Sequence, residues 1–127
     1  MVPFITPKLK LMSTKNIITI KTDQQPTFFI KFEALIDGRV VGRIFLYLIY
    51  NQLHDQPYGL LEDLFVEEDF RHQGIGAKLV RTAISKAREL KCYKLLGTSR
   101  FERPLIHSFY REKFGFEKYG YEFRLDL

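Results

Sequence analysis

The sequence predicts one α/β domain of the α+β type, a mixed and mostly antiparallel sheet with helices on both faces. Three observations point there. Two strand-like segments, Phe28–Ile36 and Arg39–Tyr50, meet at Asp37-Gly38, a two-residue hairpin signal. Gly59–Val66, a helical repeat from Ile75 to Leu90 and Tyr93–Gly97 form a strand–helix–strand unit. Lys118 to Leu127 alternates apolar and charged residues, as a half-exposed antiparallel strand does. A chain of 127 residues supports one core and one domain.

Taken from the start, residues 1–15 have no period and contain Pro3 and Pro7, so an arm or irregular edge segment is expected there, with the domain proper over 16–127. Asn16 to Thr22, with Ile17, Ile18 and Ile20, reads as a first strand, and Gln24 to Thr27 as a polar break. The strand returning from the hairpin is apolar on both faces from Ile44 onward and is expected at the buried centre of the sheet. Asn51 to Tyr58 is a turn. The helix places Ile75, Leu79, Val80, Ala83, Ile84, Ala87 and Leu90 on one side and Lys78, Arg81, Ser85, Lys86 and Arg88 on the other. Pro104 suits the first position of a shorter helix running to about Lys113. The phenylalanines are most economically core.

Composition narrows the class without deciding it. An apolar fraction of 46% with 28% charged residues describes a folded chain. The longest apolar run, Ile44 to Tyr50, is too short to span a bilayer, and no signal-peptide pattern is seen, so no membrane partner is expected. The single cysteine, Cys92, at the edge of an apolar run, suits a buried structural thiol in a reducing cytoplasm. The 20 basic and 15 acidic residues give a net charge of +5, spread along the chain with no basic run interleaved with aromatics, so no nucleic acid is expected. His54, His72 and His107 lack metal-ligand spacing among themselves or with Cys92, and no metal is expected. No Ser-His-Asp arrangement can be defended.

The chemistry concentrates between Leu61 and Gly76. An apolar strand ends in Leu64-Phe65-Val66, an acidic turn follows, and Arg71-His72-Gln73-Gly74-Ile75-Gly76-Ala77 opens the helix. Two glycines there let the backbone turn and leave N–H groups unpaired at the positive end of a helix, a site for a pyrophosphate. A nucleotide P-loop would need Lys-Ser/Thr after the last glycine, where Ala77-Lys78-Leu79 stands. A dinucleotide fingerprint would need a third glycine or alanine at Leu79.

Arg71, the Leu-Phe-Val strand end and Phe109-Tyr110 ahead of Gly115-Phe116 together resemble motifs A and B of the GNAT superfamily of acyl-CoA-dependent N-acyltransferases. The resemblance is good from Gly59 to Phe116 and looser before it. It implies acetyl-CoA as co-substrate, with pantetheine paired to the backbone of Leu64, Phe65 and Val66, and the Leu64 N–H polarising the thioester carbonyl. The pyrophosphate would lie on N–H groups from Gln73 through Ala77, with His72 contributing its backbone and Arg71 its side chain nearby. Lys78 or Arg81 would either meet the ribose phosphate or stay solvated. Arg103 stands where many members carry a CoA-contacting asparagine, and Arg103-Pro104-Leu105-Ile106-His107 resembles the Arg-x-x-Ala-His variant of motif B.

Two residues are candidates for proton transfer. Glu62 shares a strand face with Leu60 and Leu64; it is either a general base with a raised pKa or a solvated strand-end carboxylate. Glu62-Asp63 resembles the acidic pair of polyamine acetyltransferases, with Asp63 as an acceptor-binding group. Tyr110 is either the acid that protonates the departing thiolate or a core side chain. The spacing from Tyr110 to Gly115 is one residue longer than the family's usual one; an extra residue in the last turn would absorb it, and a shifted register would put Arg111 in its place. The family's helices between the first two strands are missing from Gln24–Thr27. The expected function is therefore acetyl transfer from acetyl-CoA to a primary amine, of a small molecule or a peptide, in a ternary complex; the arm over 1–15 or a second subunit would supply the missing wall, and a homodimer is expected. The rival is a non-catalytic acyl-CoA-binding or assembly module with the same fold.

Overall fold

The computed structural model describes residues 16–127. Its sheet has four strands in the order β1 (Phe28–Ile36), β2 (Arg39–Ile49), β3 (Tyr58–Val66) and β4 (Leu95–Gly97). The first three pair antiparallel and β4 runs parallel to β3, so the sheet is mixed and mostly antiparallel as expected. Asp37 and Gly38 have φ values of 50° and 78°, the left-handed pair that a tight hairpin with right-twisted strands requires. Ile36 accordingly sits opposite Arg39.

Helix α1 (Ile75–Glu89) lies across one face of the sheet. Its stripe of Leu79, Val80, Ala83 and Ala87 meets Ile44, Leu46 and Leu48 of β2 and Leu61 of β3, and these form the core. The strand alternates with period two and the helix with period 3.6, so each presents one continuous apolar surface. Burying each large aliphatic side chain contributes roughly 1.5–3 kcal/mol. The central burial expected of β2 is confined to that face; on the other, Phe45 and Tyr47 are half-buried and pack tilted against Phe29 at 5.5 and 5.3 Å between centroids. Cys92 is half-buried beside the core, and burial pushes its thiol pKa up, as suits a structural cysteine.

Helix α2 (Pro104–Ser108) starts at its proline and continues into a π turn, Phe109–Lys113. The turn ends with the Gly115 N–H donating to the Arg111 carbonyl and the Phe116 N–H to that of Tyr110, both at 3.1 Å. Phe109, Tyr110, Phe114 and Phe116 pack against the margin of the core.

Three expectations are corrected. Asn16 to Thr22 forms no strand: it pairs with no strand among the described residues, and Ile17 is 90% exposed. Lys118 to Leu127 forms no strand either, and both of its alternating sets are exposed. β-branched content and alternation supply propensity, but a strand exists only where a neighbouring edge supplies hydrogen bonds. Nor are the phenylalanines all core, since Phe28, Phe29, Phe101 and Phe123 are exposed. The arm expected over 1–15 lies outside the described residues.

Candidate active site

β3 and β4 pair at Gly59↔Leu95, Leu60↔Leu96 and Leu61↔Gly97, and then part. From Glu62 onward β3 has no neighbour on that side among the described residues, which opens a cleft of about 460 Å³. A bulge sits at the same point. Arg43 pairs with Phe65 and Phe45 with Glu62, leaving Asp63 and Leu64 opposite Ile44 alone, with Asp63 at φ 52°.

The bulge changes which backbone groups face the cleft. The Gly59 N–H donates to the Lys94 carbonyl, so odd-numbered residues of β3 first aim their backbone at β4. Beyond the bulge the Glu67 N–H donates to the Val41 carbonyl, so the phase has reversed. Leu64 and Val66 now direct their peptide groups into the gap, and Phe65 directs its own toward β2. Edge groups of this kind bind an extended ligand as an added strand would, the Val66 carbonyl being already taken by the Arg71 side chain.

Glu62, Asp63, Leu64, Arg103 and Tyr110 line this one cleft. Burial pushes the Glu62 carboxyl up from its ordinary range, and the charges of Asp63 and Glu122 add to the effect. Burial also raises the Tyr110 phenol, with the Glu62 charge adding to it. The π turn explains how Tyr110 is placed there. A π turn accommodates one extra residue without rotating what precedes it. The π turn lies over the stretch that holds the additional residue before Gly115; Tyr110 lines this cleft, and Tyr110 and Arg111 both line the adjoining cavity.

The glycine loop lies past the far end of β3. Gly74 has φ 82° and caps α1 without any side-chain hydrogen bond. The first intrahelical bond runs from the Lys78 N–H to the Gly74 carbonyl at 3.0 Å, so the Ile75, Gly76 and Ala77 N–H groups precede it and have no helical acceptor. A Cβ at Gly74 would meet nothing within 4 Å, and one at Gly76 only the Val66 Cγ2 at 3.8 Å, so the backbone surface is open. That cradle fits a diphosphate. Arg71 donates from Nε to the Val66 carbonyl at 2.7 Å and lies over the Phe65 ring at 5.6 Å. Gln73 and His72 are exposed on the loop, as are Lys78 and Arg81 on the helix. The Arg39 guanidinium pairs with Glu67 at 2.6 Å and offsets part of the acidic turn beside the cradle.

Residues 3–116 match the family model described as acetyltransferase (GNAT) family. The chain belongs to the GNAT acetyltransferase family. An Agrobacterium tumefaciens protein assigned as an acetyltransferase is 30% identical, covering 81% of this chain and 71% of its own, with a TM-score of 0.73. A Trypanosoma brucei acetyltransferase is 27% identical over 78% of this chain and 69% of its own, at a TM-score of 0.67. An aminoglycoside acetyltransferase from an uncultured soil metagenomic sample shares the fold at 24% identity and a TM-score of 0.71, over 78% and 66% of the two chains.

Within this GNAT frame, sequence reasoning missed Ser99, Arg100 and Glu122, which line the same cleft. The Ser99 Oγ is buried without a hydrogen-bond partner among the described residues, an arrangement that costs about 1–3 kcal/mol unless a ligand completes it. Their position just past the end of β4 was the available signal for Ser99 and Arg100; Glu122 had none. His107 donates from Nε2 to the Arg100 carbonyl at 2.7 Å, so it holds the loop that enters α2. Among the described residues no group of three or more His, Cys, Asp or Glu could hold a metal ion, and no helix is long and apolar enough to cross a membrane.

Proposed function

We propose that this GNAT protein moves an acetyl group from acetyl-CoA to a primary amine by direct transfer in a ternary complex. The observation that carries the reading is the convergence of Glu62, Leu64 and Tyr110 on one cleft, at the point where β3 parts from β4. When bound, acetyl-CoA supplies the activated acyl carbon and a thiolate leaving group. The cradle at Ile75–Ala77 holds its diphosphate, Arg71 adds charge beside it, and the Val66 and Leu64 peptide groups align the pantetheine.

The Glu62 carboxylate takes a proton from the incoming ammonium, which otherwise has a pKa of about 10.4 and cannot attack. The amine nitrogen then bonds to the acyl carbon and the carbon–sulfur bond breaks. The Leu64 N–H faces the oxygen where negative charge develops, a contribution of roughly 3–4 kcal/mol for a well-placed donor. The Tyr110 hydroxyl gives its proton to the departing sulfur and recovers one from the newly bonded nitrogen, and a raised phenol pKa keeps the proton in place at neutral pH. The balance is an ammonium and a thioester in, and an amide, a thiol and one proton out. Asp63 draws the cationic acceptor to the cleft mouth, and Arg103 stands at the start of α2 toward the cofactor.

Initial rates with both substrates varied test the scheme. Intersecting reciprocal plots and an acetylated amine of the right mass are expected; parallel plots with an acetylated enzyme would exclude direct transfer. The open side formed by residues 16–27, which contain no helix, favours the second reading of a binding module. That reading predicts acetyl-CoA binding with no amine-dependent thiol release. The same open side makes a homodimer part of the proposal, read by sedimentation.

A further inference from the structure

The two strand extensions that bound the cleft carry opposite charge. Beyond the Leu61↔Gly97 pair, β3 continues into Glu62 and Asp63, and β4 into Ser99 and Arg100. Glu122 reaches the same space from the C-terminal segment. Three carboxylates therefore converge, and the raised Glu62 carboxyl registers both of the others. None of the three forms an ion pair among the described residues, and neither does Arg100.

Acid and base thus share one cavity without closing on each other, and a bound molecule bearing both charges would span the gap. Beside Arg100 the buried Ser99 Oγ has an unused hydrogen-bonding capacity. The backbone bearing Arg100 is held: its carbonyl accepts from the Arg103 N–H at 3.2 Å and meets His107 Nε2 at 2.7 Å. Arg100 is also poorly placed for the phosphates. No residue of the 73–77 loop lines this cleft, and the five steps from Leu61 to Val66 cover about 16 Å of strand.

We propose that the acceptor is an amine that carries its own carboxylate, an amino acid or a molecule of that class. Its ammonium lies among Glu62, Asp63 and Glu122, and its carboxylate on the Arg100 guanidinium with the Ser99 hydroxyl donating. This rests on the acetyl-transfer reading above and narrows it. A diamine or polyamine would bring a second cation toward Arg100, and the facing like charges select against it.

The test sets amino acids beside their decarboxylated twins, such as phenylalanine and phenethylamine or leucine and isoamylamine, with acetyl-CoA and thiol release as the readout. At least one amino acid should exceed its twin in kcat/KM by tenfold or more, and calorimetry on the CoA-saturated protein should show the same preference in binding. Arg100→Gln should bring that ratio toward one through KM of the amino acid, with KM for acetyl-CoA held, and Ser99→Ala should lower it less. Twins acetylated as well as or better than amino acids would overturn the acceptor class while acetyl transfer stands. A preference that survives Arg100→Gln would overturn the carboxylate site. No thiol release with either set while other primary amines are acetylated would likewise overturn the acceptor class alone; no release with any amine, CoA binding being intact, would overturn the transfer reading and this inference together.

Discussion

Arg71 Nε donates to the Val66 carbonyl at 2.7 Å and so ties the glycine loop to the end of β3. The bond uses one nitrogen, and the planar guanidinium keeps its two terminal groups for an anion. On the proposed reading Arg71 would act twice, on the strand edge offered to pantetheine and on the diphosphate. Arg71→Ala should weaken CoA binding by about tenfold or more, since hydrogen bonds to charged groups contribute roughly 1.5–3 kcal/mol. Arg71→Lys should recover only part of the loss, because an ammonium cannot serve both partners in that geometry. Equal affinities for the lysine variant and wild type by calorimetry would leave charge as the whole role.

Gly76→Val separates the cradle from the fold. Its Cβ would meet only the Val66 Cγ2 at 3.8 Å, so the domain should fold with little change in Tm. The added side chain stands where the diphosphate approaches the N–H groups, and CoA affinity should fall at least a hundredfold. Gly74→Val should cost stability as well, since φ is 82° there. A Gly76→Val protein that binds CoA normally would remove the loop from the cofactor site.

Tyr110→Phe should lower kcat by about a hundredfold, the low end of general-acid contributions, with little change in CoA affinity. The ring stays packed on Phe116, 5.3 Å between centroids, so the loss would belong to the hydroxyl. An unchanged kcat would return Tyr110 to a packing role.

Glu62 makes a two-sided prediction with pH. As a base it must be ionised, and its carboxyl is held above the ordinary range, so the acid limb of kcat/KM should lie above that of an exposed glutamate. The deficit of Glu62→Gln should be largest where Glu62 is charged and the amine still protonated, and should shrink as pH nears the amine pKa of about 10.4. Stability runs the other way. A carboxylate whose folded pKa is raised binds protons more readily when folded, so stability falls as pH rises through the window between its unfolded and folded values. Glu62→Gln should then raise Tm at pH 7 and lose that advantage below about pH 4, the unfolded range. A pH–rate profile of unchanged shape and height would take Glu62 out of the mechanism.

The parts of the fold legible in the sequence are those fixed by local signals. Asp37-Gly38 set the hairpin, the 3.6-residue repeat set α1, and the strand–helix–strand order set the parallel pair. The glycine loop and the Leu64–Val66 strand end were legible because backbone freedom and position in that unit show directly in residue type. Asn16–Thr22 and Lys118–Leu127 misled because propensity and alternation say nothing about whether an edge is available. The bulge at Asp63 carries no glycine or proline to announce it, yet it decides that Leu64 and Val66 face the cleft. The π turn showed only as one residue of excess spacing. Ser99, Arg100 and Glu122 are ordinary residues by type, and only the topology brings them beside Glu62.

The most direct test of acetyl transfer is amine-dependent thiol release from acetyl-CoA by the wild-type chain, with the product identified by mass. The account predicts stoichiometric thiol and a product heavier by one acetyl group, both sharply reduced in Tyr110→Phe and Glu62→Gln. Acetyl-CoA binding at the Gly74–Ala77 loop with no thiol released for any amine would contradict it.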